Sequence, residues 1–552
     1  MTLGADEFAF VPLGGTGEIG ANLNLYHAAG AWLAVDCGLA FGDPTSPEIE
    51  IMVPDPGFIA DRRRRLRALV VTHAHEDHLG AVAWLWPQLE CEVFATPFAA
   101  AVLRRKLAER GLLGRVPLHV YEPGGTLDLA PFALRFIRMA HSTPEAQAVA
   151  IRVPQGLVLH TGDWKLDPNP MVGPPTDEAS LAALGGEGVD VLVCDSTNAM
   201  VEGHSGSEAD VRRNLAALIR GLSGRVAVTC FATNVARIEA IARAAQASGR
   251  TLAIVGRAFR NIVVAAREAG YLGGLPEFVD EEDAGSLPDD AVLFLVAGSQ
   301  GEPRSALSRI AADTHPHIAL GEGDTVIYSS RMIPGNERAI HRVQEALARR
   351  GVRVMTEKDH MVHVSGHPAR DELRRLYGLV RPRHVVPVHG EWQHMAEHAA
   401  LARELGVTPH VLENGDVLRL APAPVVVIDH APVGKLAVDG ERLVPTSSAL
   451  FAERRRMLDH GLVVASLAAD PAGRFLGRPV LSGPGVFDSA TNGLADELAD
   501  DLNDAVAALP PQVRRDDDAL REAVRGVLRG LLRRALGPKR PGIEVHVVRI
   551  GR

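Results

Sequence analysis

The segment His73-Ala74-His75-Glu76-Asp77-His78 constrains this chain more than any other feature. It follows the apolar run from Arg67 to Val71 and precedes a stretch with helical spacing, so it reads as a strand-to-helix loop. Ligand-type side chains packed so densely on one loop can converge on a common centre. Imidazole supplies a neutral nitrogen and aspartate a hard anionic oxygen, a mixed set that suits Zn²⁺ or Mn²⁺ and disfavours Ca²⁺. Two divalent ions need about seven protein ligands, so others must come from elsewhere. His141 follows the run from Phe132 to Met139, Asp163 follows Leu157 to His160, and His389 stands in Val388-His389-Gly390-Glu391. All three lie at the C-terminal ends of predicted apolar strands, the edge where layered α/β folds place their sites. A carboxylate at Asp163 is suited to bridging two ions.

The periodicity changes along the chain. Residues 1–208 read as strand-rich with interspersed helices, including strands at Phe8 to Pro12, Asn22 to Tyr26 and Ala31 to Asp36. Residues 209–356 alternate helix and strand, the mark of a layered βα domain. Residues 357–430 return to a mixture rich in His, and 431–455, with Gly434, Gly440 and Pro445, read as a linker. Residues 456–552 predict a small α/β domain: a strand at Leu462 to Leu467, helices at Asp496 to Leu509 and Ala519 to Leu532, and a strand at Ile543 to Ile550.

Composition narrows the class. The chain has 552 residues, 46% hydrophobic and 23% charged, which is ordinary for a folded protein of several domains. No apolar run reaches the ~18 residues that span a bilayer. Met1 to Phe10 has neither a basic start nor an apolar core, so the expectation is a cytoplasmic protein with no membrane contact. Cys37, Cys91, Cys194 and Cys230 are scattered, which argues for core residues rather than disulfides or a thiolate zinc site. The net charge of −10 is unfavourable for nucleic-acid binding unless positive charge is local. Arg62 to Arg65 and the stretch from Arg514 to Arg534 are candidate patches, although a solvated helix face is the commoner meaning of such runs.

With these residues in place, the chain resembles the ribonuclease J branch of the β-CASP group in the metallo-β-lactamase superfamily. The superfamily pattern is an Asp after an early strand (Asp36), then H-x-H-x-D-H, a His and an Asp. The β-CASP group adds an acid after a strand, here Asp195 in Cys194-Asp195-Ser196-Thr197-Asn198, and a Ser-Gly-His histidine, here His367. Further likeness lies in Gly14 to Gly20, Gly298-Ser299-Gln300-Gly301-Glu302-Pro303, Ile333-Pro334-Gly335-Asn336-Glu337 and His363-Val364-Ser365-Gly366-His367.

The resemblance implies an αββα sandwich with an inserted β-CASP α/β domain and a small C-terminal α/β domain that supports a homodimer or homotetramer. It implies one divalent ion on His73, His75 and His141, a second on Asp77, His78 and His389, and Asp163 bridging them, with Asp36 orienting ligands. His367 would serve the phosphate or the leaving group, oriented by Asp195. His363 to His367 would open a helix whose free N–H groups and Ser365 hydroxyl receive a 5′-phosphate, with Thr233 and Asn234 lining the same pocket. The implied activity is 5′→3′ digestion of 5′-monophosphate RNA with some internal cleavage, in RNA maturation and decay, alongside other RNA-decay proteins. His389 tilts the substrate toward RNA, since DNA-processing relatives typically carry an apolar residue there. A further structural cation on Glu48, Glu50 and Asp439 is implied by some relatives.

Other readings share parts of this pattern. Gly15-x-Gly17-x-x-Gly20 fits a dinucleotide fingerprint, but Asn22 to Tyr26 alternates as a strand does where a helix should open. A tight hairpin near the metal cleft is the better reading. A small-substrate metallo-hydrolase would share the metal loop but leaves the long insertion after Asp195 without a purpose. A DNA nuclease of the same fold conflicts with His389, and a non-enzymatic RNA-binding subunit conflicts with a complete ligand set.

Overall fold

The computed structural model describes residues 3–42, 46–333, 335–487 and 492–551. Two compact units emerge, Met1–Pro44 with Ile51–Val438, and Thr45–Glu50 with Asp439–Arg552.

Two facing sheets form the base of the first unit. One runs in the order Val426–His430, Asp416–Ala421, Phe8–Gly14, Leu23–Ala28, Ala31–Val35, Leu66–Val70, Glu92–Ala95, Leu118–Val120. The other runs Thr126–Leu129, Phe132–Arg138, Gln147–Val153, Gly156–His160, Val191–Asp195, His384–Val388, Thr408–Pro409. Alternating apolar side chains of the two sheets meet in one core: Phe8, Phe10, Tyr26, Leu33 and Val70 face Phe132, Phe136, Ile151, Val191 and Val386. The outer face of the second sheet is covered by the helices Glu178–Glu187, Arg370–Val380 and Trp392–Glu404, through Leu181, Leu184, Leu373, Leu376 and Leu401. The helix Pro97–Glu109 lies against strands Glu92–Ala95 and Leu118–Val120 of the first sheet. This is the αββα layering expected from the sequence.

A six-stranded, all-parallel sheet forms the insert, in the order Val279–Asp280, Thr251–Val255, Val292–Val296, Val226–Thr229, Thr325–Tyr328, Arg353–Met355. Strands such as Val292–Val296 are apolar and buried at every position, as a parallel sheet covered on both faces requires. The chain leaves the seven-stranded sheet after Val191–Asp195 and returns at His384–Val388. The returning strand pairs in parallel with the one it left, Val191 opposite His384 and Asp195 opposite Val388. The residues that follow the two strands, Ser196 and His389, therefore emerge at the same edge of the sheet.

In the second unit, Leu462–Ala469 pairs in parallel with Gly542–Arg549 and antiparallel with Val480–Ser482. Helices Asn492–Ala507 and Asp517–Leu536 bury Leu498, Leu502 and Val506, and Leu520, Val524 and Leu528, stripes of four-residue spacing that match an amphipathic helix. Two of the arginines on the longer helix pair with acids of the same helix, Arg521 with Asp518 and Arg525 with Glu522.

The stretch read as a linker is structured. Lys435–Asp439 and Arg442–Pro445 are strands, and the helix Ala449–His460 begins within it. Gly440 and Pro445 mark the turn and strand end between these elements rather than an irregular chain. All four cysteines are buried free thiols. Among the described residues, no helix is long and apolar enough to cross a membrane.

Candidate metal centre

The strand Leu66–Val70 delivers the chain to His73, and the short helix Glu76–Leu79 turns Asp77 and His78 back toward it. Gly38 permits this close return, since a Cβ there would lie 1.6 Å from the Asp77 carbonyl oxygen. His141, Asp163 and His389 each arrive just beyond a strand of the second sheet. The backbone amide of His389 donates to Gly15 O at 2.7 Å, so the glycine-rich turn after the first strand serves to hold a candidate ligand.

Two groups of donors share Asp163, His73, His75 and His141 in one and Asp77, His78 and His389 in the other, and a third, of Asp195, His367 and His389, overlaps the second. Asp163 Oδ2 lies 3.7 Å from His73 Nε2, 3.2 Å from His78 Nε2, and 3.8 Å from Nε2 of both His141 and His389. His75 Nδ1 is 3.0 Å from His141 Nε2, and Asp77 Oδ2 is 2.9 Å from His389 Nε2. Both oxygens of Asp163 and Nε2 of His73 are buried without a hydrogen-bond partner. Such orphaned atoms cost about 1–3 kcal/mol each. Their convergence, with this nitrogen and carboxylate set, fits divalent cations.

The nitrogens turned away from the centre are held in place. Asp36 Oδ2 is 2.7 Å from His78 Nδ1, and the same carboxylate accepts from Thr72 N at 2.8 Å and Thr72 Oγ1 at 2.9 Å. His141 Nδ1 donates to Gly366 O at 2.6 Å, and His389 Nδ1 lies 2.8 Å from Thr197 Oγ1. Partners of this kind fix ring orientation and tautomer. Asp36 and His389 adopt left-handed backbone (φ 64° and 51°), a local cost tolerated where geometry is tightly set.

Burial holds His73 and His141 well below the ordinary histidine range and His75 at about 4, in the neutral form that ligates. At His389 burial acts the same way, but Asp163 and Asp77 outweigh it and raise the ring to about 9. His78 is likewise raised, burial being overcome by Asp163, Asp77 and Asp36. A cation entering this second cluster competes with those protons.

Beside the two groups, His367 Nδ1 is 2.8 Å from Asp195 Oδ2 and 3.8 Å from Asp163 Oδ2. Burial lowers the His367 pKa, yet Asp195 and Asp163 prevail and keep it above the usual value.

One expectation about the neighbouring pocket is corrected. The helix after His367 begins at Arg370, beyond Pro368, so His363 to His367 is not a helix start. Its N-terminus is occupied by the buried Glu372 carboxylate, which accepts from Ala369 N at 2.9 Å, Leu166 N at 2.8 Å and Ser205 N at 2.7 Å. No anion is needed there. Ser365 instead sits in non-helical chain, its Oγ accepting from Asn198 Nδ2 at 2.7 Å and His367 N at 3.1 Å. Arg331, exposed, donates to Asn198 Oδ1 at 2.9 Å. Val364 and Gly366 are buried, His363 and Thr233 half-buried. Asn234 is buried and caps the helix Val235–Ala247, accepting from Arg237 N at 2.8 Å.

The structural cation implied at Glu48, Glu50 and Asp439 is not supported. Asp439 is held by Arg442 and Arg454 at 2.8 Å each, and Glu48 by Arg455 at 2.5 Å, while the three carboxylates form no ligand group among the described residues. Arginine supplies the positive charge that a cation would.

Sequence reading overlooked the roles of Thr72, Thr197, Asn198 and Arg331. Asn198 and Thr197 lie within the quoted Asp195 motif, where polar side chains after a strand were the available signal. Nothing local marks Arg331. It is placed by Gln300, whose Nε2 donates to Arg331 O and whose Oε1 accepts from Ile333 N, at 3.0 Å each, joining two of the family-like stretches. Pro334 of the second stretch lies outside the described residues.

The layered sandwich, its inserted parallel-sheet domain and the paired histidine–aspartate groups at its strand ends define a hydrolase of the metallo-β-lactamase fold. Family models agree: "Metallo-beta-lactamase superfamily" matches residues 17–199, "Ribonuclease J, beta-CASP domain" 223–347, "Zn-dependent metallo-hydrolase RNA specificity domain" 351–412 and "Ribonuclease J C-terminal domain" 450–550. The chain belongs to the ribonuclease J family, a family of metal-dependent ribonucleases. It is 41% identical to Ribonuclease J of Sinorhizobium meliloti over 99% of this chain and 98% of that protein. It is 36% identical to Ribonuclease J of Thermus thermophilus over 86% of this chain and 85% of that one. Ribonuclease J 1 of Streptococcus pyogenes is 34% identical over 88% and 87% respectively. A crystal structure of a protein of unknown function from Enterococcus faecalis V583 matches 75% of this chain and 100% of its own, at TM-score 0.54 and 16% identity, a likeness of fold alone.

Proposed function

We propose that this chain is a two-metal phosphodiesterase that digests RNA 5′→3′ from a 5′-monophosphate end, with some internal cleavage, in RNA maturation and decay. The observation that carries this reading is the Asp163 carboxylate, both oxygens buried without a hydrogen-bond partner, between two histidine-rich groups and beside the Asp195–His367 pair. His73, His75 and His141 would hold one ion, Asp77, His78 and His389 the other, and Asp163 both. Bound there, Zn²⁺ or Mn²⁺ would bring the pKa of a water toward ~7 and offset charge on the phosphate oxygens. His367, whose pKa Asp195 and Asp163 raise against burial, offers Nε2 to a phosphate oxygen or to the leaving oxygen. The Ser365 hydroxyl, with the Arg331 guanidinium joined to it through Asn198, suits a terminal phosphate. Family resemblance supports RNA as the partner, a homodimer or homotetramer, and work beside other RNA-decay proteins in the cytoplasm.

Digestion of one end-labelled 5′-monophosphate RNA, with Mn²⁺, with Mg²⁺ and with chelator, beside DNA of equal sequence, tests the reading. Release of 5′ mononucleotides from RNA alone, abolished by chelator, is the expected result. Intact RNA despite bound metal would overturn it and direct attention to ester or lactam substrates.

A further inference from the structure

The chain returning from the insert, Val362 to His367, is fastened at two separate points. At the catalytic end, Asn198 Nδ2 donates to Ser365 Oγ and to His367 O at 3.1 Å, and Asp195 holds His367 Nδ1. At the other end stands Arg237, on the insert helix Val235–Ala247. Its Nη1 donates to Val362 O at 3.0 Å and to both oxygens of Ser329 at 2.6 Å, while Ser329 Oγ itself donates to Val362 O at 2.6 Å. His363 Nδ1 lies 3.5 Å from the same nitrogen.

Behind Arg237 the polar chain continues into the sandwich. Arg237 Nη2 donates to both oxygens of Glu208 at 3.0 Å, and Glu208 N donates to Asp167 Oδ2 at 2.9 Å. Asp167 pairs at 3.1 Å with Lys165, two residues beyond Asp163. Arg237 and Lys165 are 0% exposed, and Glu208 and Asp167 1%. A buried ion pair gives little net stability over well-packed apolar side chains of the same volume. Such a run of pairs, reaching from beside Asp163 to one end of the return loop, is better explained by what it holds in register.

We infer that Arg237 is a positioning residue that sets the Val362–His363 end of the 5′-phosphate pocket, while Asn198 and Asp195 set the catalytic end independently. The return segment is thereby held at its Val362 end from the insert helix and at its Ser365 end by Asn198, just beyond the strand Val191–Asp195. The inference rests on reading the Ser365 segment as that pocket.

Steady-state digestion of 5′-monophosphate and 5′-hydroxyl RNA by Arg237→Lys, Ser329→Ala and Ser365→Ala tests it, with metal content measured on each. A lysine keeps the charge but cannot reach Glu208, Ser329 and Val362 together. Ser329→Ala leaves the buried pair intact and decides the matter if Arg237→Lys fails to fold. The expected result for both is a KM for 5′-monophosphate RNA raised about tenfold with kcat within about twofold, and a matching loss of preference over 5′-hydroxyl RNA. Unchanged KM, or a fall in kcat alone, would overturn the inference. If Ser365→Ala alone reduces the preference, the pocket stands and Arg237 has no part in it. If none of the three does, the pocket reading itself fails.

Discussion

Gly366→Ala is a small change with a large expected consequence. A Cβ at this position would lie 2.7 Å from His141 Cε1, 3.0 Å from His141 Nδ1 and 3.1 Å from Ser142 Oγ. Non-bonded carbons rest at about 3.5–4.0 Å, so a gap of roughly 1 Å must open. The ring cannot retreat freely, because its Nδ1 is bound at 2.6 Å to the carbonyl of the same Gly366. Either that bond breaks or His141 Nε2 leaves its place opposite His75 and Asp163. Metal–ligand distances tolerate only about 0.2 Å. A displacement of ~1 Å near reacting groups costs on the order of 10²-fold, or ~2.7 kcal/mol. The assay is kcat/KM on 5′-monophosphate RNA at saturating Mn²⁺, with elemental analysis for metal and circular dichroism for fold. A variant that keeps both its metal content and its rate within about threefold of the parent would refute the reasoning, since the packing at Gly366 would then not govern His141.

Asp163→Ala removes the carboxylate common to both donor groups, and both ions should be lost with a rate decrease of at least ~10³-fold; near-normal metal content would contradict the bridging role. Asp195→Asn removes the main charge that raises the His367 pKa, so the protonated ring is lost at a lower pH. The alkaline limb of the pH–rate profile should move to lower pH while the acid limb stays; an unmoved alkaline limb would exclude His367 as the proton-bearing group. Leu502→Ala empties a fully buried site in the second unit and should destabilise that unit by ~2–5 kcal/mol in thermal unfolding, leaving metal content of the first unit unchanged.

The candidate centre was legible because its chemistry is local. The dense ligand loop at His73 to His78, and single ligands just after apolar runs, are patterns that a strand-end site writes directly into the chain. The layered βα character of residues 209–356 followed from their alternation of helix and strand, while the αββα sandwich and the insertion within it came from the family resemblance. What the chain concealed is set by partners far away in sequence. Pro368 and Ser365 looked like a helix start, but Glu372 fills the true N-terminus from three residues inside it, and Ser365 is held by Asn198. Asp439 looked like a cation ligand until Arg454 and Arg442 came beside it. Arg237 gave no signal, because its meaning lies in a hydrogen bond to Val362 across the fold.

The parallel pairing of His384–Val388 with Val191–Asp195 has a consequence for how the protein forms. These strands are neighbours in space, yet the whole insert separates them in sequence. Contacts closed over so long a loop form slowly and late. His389, at the end of the later strand, should therefore join Asp77, His78 and Asp163 late, after the whole intervening parallel-sheet domain has been synthesised. A nascent chain carrying His73, His75, Asp77 and His78 has no complete second ligand group to load. Folding order would thus delay the nuclease until the inserted domain is in place, and a chain truncated before residue 384 should emerge with an incomplete centre.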